Sequence, residues 1–208
     1  MLISMDGIDG CGKSTQVALL AEHIGADRVR EPTDGRWGRL LRSLDQPTLE
    51  QQLAYFLADR ASHVPVLEEA AGSEAVHRVS DRSYLSTVGY QSFESPLSPD
   101  LLERINLALV PPYDLMIVLD LPVEVGLGRV ASRDGTRDWC ETEDRLTWVR
   151  QVLQTWAAQR DNVVLVDASP LPEEVFAQVV AAAEAASVAQ FGQVVWTPQA
   201  RGVDGAPR

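Results

Sequence analysis

A three-layer α/β/α fold, with a five-stranded parallel sheet flanked by helices, is what the sequence predicts, and three observations predict it. Short β-branched runs alternate with helical stretches along most of the 208 residues, as they do where helices form the crossovers between parallel strands. Two of the runs, residues 115–119 and 163–166, are almost continuously apolar, the pattern of strands buried on both faces. Near the N-terminus an apolar run, a glycine-rich turn and a helix with apolar periodicity follow one another in that order.

The first strand covers residues 2–5. The stretch GIDGCGKST follows it and fits G-x-x-x-x-G-K-[ST] through Gly7, Gly12, Lys13 and Ser14. The chemistry of this pattern is phosphate binding. Glycines let the loop wrap so that backbone N–H groups point inward, the lysine reaches the β/γ-phosphates, and the serine hydroxyl can bind Mg²⁺. A helix over residues 13–24 follows, with Val17, Leu20, Ala21 and Ile24 at i, i+3, i+4 and i+7 and Gly25 just beyond its end. Its positive end faces the anion. A weaker strand at 28–31 leads into helices at 35–44 and 48–71, the second of which Pro65 should kink or break. A strand at 76–80 and helices at 84–94 and 98–109 precede the 115–119 strand. Helices at 122–132 and 142–160, the 163–166 strand and a helix at 172–187 complete the pattern. Residues 1–187 form one P-loop domain in this reading, with ligands at the carboxyl ends of the strands. Between the helices, the segment RDGTRDWCETEDR, residues 133–145, mixes charges without an apolar period, as a short lid would. Residues 188–208 are expected to be a flexible tail.

The formal charge of −12 and a pI near 4.6 argue against nucleic acid as a partner. A chain this acidic that binds polyanions has to concentrate its cations locally. No apolar run reaches about 18 residues and no basic region leads into an apolar core, so the expectation is a cytoplasmic protein with no membrane partner. Two cysteines, Cys11 and Cys140, give neither a disulfide framework nor a CxxC pair; only closure of the lid over the loop would bring them together. His23, His63 and His77 have no zinc spacing and are assigned no chemistry.

A phosphate loop is common to switches, motors and kinases. No N-K-x-D is present to read a guanine base, and no L-S-G-G-Q-like signature of a transporter ATPase. What is present is Arg30-Glu31-Pro32-Thr33, then YFLADRA at 55–61, DRSYLSTVGYQ at 81–91 and DLMIVLDLPVEVGLGR at 114–129. In this order and at these spacings, from about residue 1 to 186, the chain resembles the thymidylate kinases, a branch of the nucleoside monophosphate kinase group. The resemblance implies transfer of the ATP γ-phosphate to dTMP, with Mg²⁺, by a homodimer. A kinase of another nucleoside monophosphate, or a catalytically silent nucleotide sensor, would use a similar pocket.

Asp81 ends a strand beside the loop, where its carboxylate and Ser14 can serve the Mg²⁺ shell, and Arg82 next to it can clamp the acceptor phosphate as a planar fork. Phe56 and Arg60, four apart, share a helix face. Spacing alone reads them as a core ring and a solvated charge. The resemblance makes them the thymine stack and the donor to a thymine carbonyl. It implies that Tyr90 lies against the acceptor sugar and disfavours a 2′-hydroxyl, with Ser86, Thr87 and Gln91 beside it. It gives Asp9 to the acceptor's 3′-hydroxyl and Arg30 to its phosphate. On the donor side it implies Gly7, Gly10, Cys11, Gly12 and Thr15 around the phosphates, Arg129 on adenine, and Asp167 with Ala168 at the ring's border. The R-E-P-T-D-G-R here departs from the commoner R-E-P-G-G-T, which leaves that loop's shape open. With Cys11 before Gly12 rather than an arginine, the catalytic arginines are expected from the lid, at Arg133 and Arg137.

Overall fold

The computed structural model describes residues 1–134 and 142–197. Five parallel strands form one sheet in the order β2-β3-β1-β4-β5, where β1 is Leu2–Asp6, β2 Asp27–Arg30, β3 Arg78–Asp81, β4 Leu115–Asp120 and β5 Val163–Asp167. Every residue of β1 and the first five of β4 are buried, which is why these runs carry so little polarity. The strand order reverses beside β1, so its carboxyl end opens into the crevice where such sheets bind ligands. Register places Met5 opposite both Asp81 and Ile117, putting the loop after β1 next to Asp81.

Eight described helices cover the sheet: α1 Lys13–Ile24, α2 Arg36–Arg42, α3 Leu49–Glu68, α4 Tyr84–Tyr90, α5 Pro99–Leu107, α6 Val123–Asp134, α7 Glu143–Gln159 and α8 Pro172–Phe191. Their starts follow from capping chemistry. Thr48 forms a capping box with Gln51, Ser83 and Ser98 cap α4 and α5, and Thr142 caps α7.

Three expectations change. The proline in α3 does not break it: the helix runs through Pro65, and the Ala61 carbonyl deprived of its N–H partner belongs to an exposed residue that water can satisfy. The C-terminal segment is packed well past residue 187. Helix α8 continues to Phe191, Ser187 Oγ donates to the Gln193 carbonyl at 2.8 Å, and buried Trp196 meets the His77 ring edge-on. Residues 198–208 of the expected tail lie outside the described residues. At the lid, α6 reaches Asp134 and α7 begins at Glu143, so both ends of the 133–145 segment are helical and residues 135–141 lie outside the described residues.

Candidate active site

The phosphate loop leaves β1 at Asp6 and enters α1 at Lys13. Gly10 has φ +84°, and a Cβ there would stand 2.4 Å from the Gly126 carbonyl of α6. Only a glycine lets loop and helix come this close. Lys13 is buried and folds back into the loop, its Nζ donating to the Gly7 and Ile8 carbonyls at 3.1 and 2.9 Å and standing 3.7 Å from Asp9. The Ser14 hydroxyl donates to Asp81 Oδ2 at 2.5 Å. These two oxygens, one from a helix N-terminus and one from a strand end, are hard donors of the kind Mg²⁺ takes. Cys11 is buried, its Sγ 3.8 Å from the Lys13 ammonium.

Asp9 is the meeting point of three side chains. Arg82 pairs with its Oδ1, the Tyr90 hydroxyl donates to its Oδ2 at 2.8 Å, and Lys13 approaches from the loop. Burial alone would raise this carboxyl; the charges of Arg82 and Lys13 and the Tyr90 hydrogen bond overcome it and hold Asp9 well below the usual carboxylate range. Arg82 adopts a left-handed φ of 74°, its N–H bonding the Met5 carbonyl at 2.9 Å, and its guanidinium lies over the Tyr90 ring at 5.5 Å. A bulky residue in that conformation is uncommon away from functional sites.

A second pocket opens between α3 and α4. Arg60 is fully buried at its floor: Nε and Nη2 lie 2.8 and 2.7 Å from Glu31 Oε2, Nη2 donates to Thr87 Oγ1 at 3.1 Å, and Nη1 donates to Asn106. The preceding residue, Asp59, is buried too and accepts the Thr33 N–H and hydroxyl at 2.6 Å each. The shape of the R-E-P-T-D-G-R loop is thereby set from below by α3. Arg30, half exposed, pairs with Asp34 on the rim. Gln91 donates to Gln52 at 3.0 Å, and Phe56 lines the same wall.

Both pockets belong to one cleft of about 990 Å³ that takes in Lys13, Arg30, Arg60, Arg82, Arg129 and Arg145. The acidic chain thus gathers its cations where polyanions would sit. Gly10, Cys11, Gly12, Ser14 and Thr15 line it, as do Asp81, Ser86, Thr87 and Tyr90. Arg129 reaches the Gly10 and Ala168 carbonyls at 3.4 and 3.5 Å and lines the cleft beside the phosphate loop. Three predicted residues sit differently. Gly7 does not line the cleft, its carbonyl accepting from Lys13 Nζ at 3.1 Å. Asp167 turns its carboxylate to the Ser169 N–H at 2.9 Å, and it is Ala168 that lines the cleft. Ser86 lines it too, but its hydroxyl donates to Asp6 at 2.8 Å. Arg137 and Cys140 lie outside the described residues, as does the side chain of Arg133.

Sequence reasoning passed over several residues that build this site. Buried Asp6 accepts hydrogen bonds from Ser4, Ser83 and Ser86 and so ties the end of β1 to the start of α4. Glu31, Asp59 and Arg145 stood inside the segments singled out, but only their tertiary partners reveal their work. Arg145 extends over the Phe93 ring at 5.1 Å. Its helix is held by Arg150 and Gln154, which grip Asp120 at the end of β4 with distances of 2.7–3.2 Å.

A family model described as thymidylate kinase matches residues 5–179. The thymidylate kinase of Oleidesulfovibrio alaskensis is 38% identical over 201 residues, covering 86% of this chain and 95% of that protein. That of Akkermansia muciniphila is 36% identical, with 86% and 88% covered, and that of Fervidobacterium nodosum 31%, with 86% and 96%. By that match and these identities over most of its length, the chain belongs to the thymidylate kinase family.

Proposed function

We propose that this chain transfers the γ-phosphate of ATP to dTMP, giving ADP and dTDP, and that the residues of the cleft divide the work as follows. Gly7, Gly10, Cys11, Gly12, Lys13 and Thr15 hold the donor phosphates, and Arg129 and Ala168 border adenine. In this reading Asp167 supports the turn after β5 and touches the nucleotide only through its backbone. Ser14 and Asp81 hold Mg²⁺, which neutralises donor phosphate charge when bound. Arg82 and Arg30 grip the acceptor phosphate, Asp9 accepts its 3′-hydroxyl, and Tyr90 closes against the 2′ position. Phe56 stacks on thymine, with Thr87 and Gln91 along its edge. Ser86 acts through Asp6, holding α4 against the loop.

The carrying observation is that the phosphate loop and the Arg60 pocket share one cleft, with Arg82, Asp9 and Tyr90 hydrogen-bonded across the middle. Transfer of a phosphoryl group needs little covalent help from a protein; it needs two nucleotides held in line and positive charge around the migrating group. Arg60 has five N–H groups, and its three hydrogen-bonded partners leave one on Nη1 for a base carbonyl. Cytosine would present an amine there, and two donors repel. Arg133 and Arg137 arrive from the lid as the transferring phosphoryl becomes exposed, acting through the transition state.

Among the described residues no helix is long and apolar enough to cross a membrane. We place the enzyme in the cytoplasm with the nucleotide pools it serves, as a homodimer and without nucleic acid among its partners, for which its net charge of −12 is unsuited. An ADP-release assay across nucleoside monophosphates tests the whole reading: dTMP should be turned over well ahead of UMP and of the purines. Equal turnover of dTMP and AMP would overturn it, and nucleotide binding without ADP release would mark a sensor instead.

A further inference from the structure

Behind the Arg60 guanidinium stands a second layer that the base never touches. Glu31 follows β2 and is 5% exposed; one of its oxygens, Oε2, takes both Nε and Nη2 of Arg60. The other, Oε1, faces Nδ1 of His63 at 3.7 Å. His63 is 7% exposed and sits on α3 three residues after Arg60, so both side chains leave the same helix face. Neither Glu31 Oε1 nor His63 Nδ1 has a hydrogen-bond partner among the described residues. Two buried polar atoms left over at this range are each other's natural partner. Burial works to raise the Glu31 carboxyl, yet the Arg60 charge and the His63 contact hold it below its ordinary value, so it faces Arg60 as a carboxylate.

We propose that His63 and Glu31 are positioning residues for base recognition: His63 fixes the Glu31 carboxylate, and Glu31 fixes the plane of the Arg60 guanidinium. The inference rests on Arg60 reading the base. A guanidinium is planar, so the direction of its remaining Nη1 N–H is set once Nε and Nη2 are both held. Asn106 shares the task from α5, accepting from Nη1. Without His63, the carboxylate can rotate about its last bond and take the guanidinium with it. The N–H then no longer points along the line to the base carbonyl, and hydrogen bonds weaken steeply with misalignment.

The test compares two acceptors that carry the same methyl group, dTMP and 5-methyl-dCMP, whose pyrimidine rings present a carbonyl or an amine at position 4. In the full-length enzyme, His63→Leu should raise KM for dTMP and shrink the preference for dTMP by about tenfold, the scale of one hydrogen bond to a charged group. KM for ATP should stay unchanged. His63→Asn, whose amide nitrogen can take the place of Nδ1, should restore most of the preference, which a purely structural role would not predict. A folded His63→Leu that keeps its preference within about twofold overturns the proposal. Should that variant fail to fold, Glu31→Gln gives the same reading, since a neutral oxygen holds the guanidinium less firmly and an unchanged preference there overturns the proposal equally. Arg60→Lys separates the two levels. If it leaves the preference intact, base reading by Arg60 fails and the positioning role fails with it; loss in Arg60→Lys with none in His63→Leu removes the positioning role alone.

Discussion

Helix α6 carries two glycines two residues apart, and the same substitution at each should have opposite effects. At Gly128 an added Cβ meets nothing within 4 Å, whereas at Gly126 it stands 2.8 Å from the Asp9 carbonyl and 3.1 Å from Ile8 Cδ1. Alanine in a helix interior is worth about 1 kcal/mol over glycine, so Gly128→Ala should stabilise by up to about that amount. At Gly126 the same gain is offset by overpacking, which costs about 1–3 kcal/mol. The Ile8 side-chain tip can give way. The Asp9 carbonyl cannot, because moving it moves the loop that carries Lys13 and the Asp9 carboxylate. The clash wins, and Gly126→Ala should lose up to about 2 kcal/mol net. In a chain of this length 1 kcal/mol is about 2–4 °C of Tm, so thermal melts separate the variants. Kinetics add an independent reading. A displaced phosphate loop should lower kcat/KM for ATP about tenfold or more, since a misplacement near 1 Å can cost far more than that, while Gly128→Ala should keep parental kinetics. Matching melts and matching ATP kinetics for the two variants would refute the close approach of loop and helix.

Three further expectations follow from the cleft. Tyr90→Ala should relax discrimination against a ribose hydroxyl in the acceptor, measured as the ratio of kcat/KM for dTMP and its ribonucleotide, while KM for ATP changes little; an unchanged ratio would remove Tyr90 from the sugar. The folded Asp9 carboxyl titrates below its unfolded value of about 3.9, so the stability it contributes is fully present above that pH, begins to fade below it and is lost as pH falls through the lower folded value. Urea melts should therefore show Asp9→Asn trailing the parent by more at pH 7 than at pH 3, and an equal gap at both would contradict the charged cluster. Arg133→Ala and Arg137→Ala should lower kcat by about 10²-fold with little change in KM, as befits contacts made only in the transition state; near-normal kcat in both would reduce the lid to a linker.

How much of this was legible from sequence depended on whether the signal was local. Strand β1, the loop glycines and α1 follow one another without a break, and each has its own pattern, so all three were read within a residue or so of their observed bounds. Strand β2 was weak because Asp27, Arg28 and Arg30 are exposed at an edge, and little apolar period remains to be seen. The second layer of the site left no local trace. Asn106 meets Arg60 across 46 positions, Ser83 meets Asp6 across 77, and His63 looked like any scattered histidine until α3 and β2 were folded together. Trp196 misled for the same reason: a polar, glycine-bearing C-terminal stretch hides one ring that finds His77 more than a hundred residues earlier.

The position of Asp9 explains how a chain with net charge −12 keeps a cluster of cations in place before any nucleotide arrives. Lys13, Arg82 and the Tyr90 hydroxyl all converge on this one carboxylate. Without it, two buried or half-buried cations would face each other in a cleft of low dielectric, and repulsion would push Arg82 outward. With it, they are held near where phosphates will lie, so less reorganisation is needed when substrate binds, which is the condition for strong electrostatic stabilisation of a developing charge. On the proposed division of roles, an incoming phosphate competes with Asp9 for Arg82 and Lys13 instead of having to gather them. In the proposed reading Asp9 yields those contacts without leaving, and a hydroxyl donor on the acceptor sugar offers it a replacement partner. That exchange makes a carboxylate inside a phosphate loop an asset when the acceptor carries a 3′-hydroxyl, and a source of repulsion when it does not.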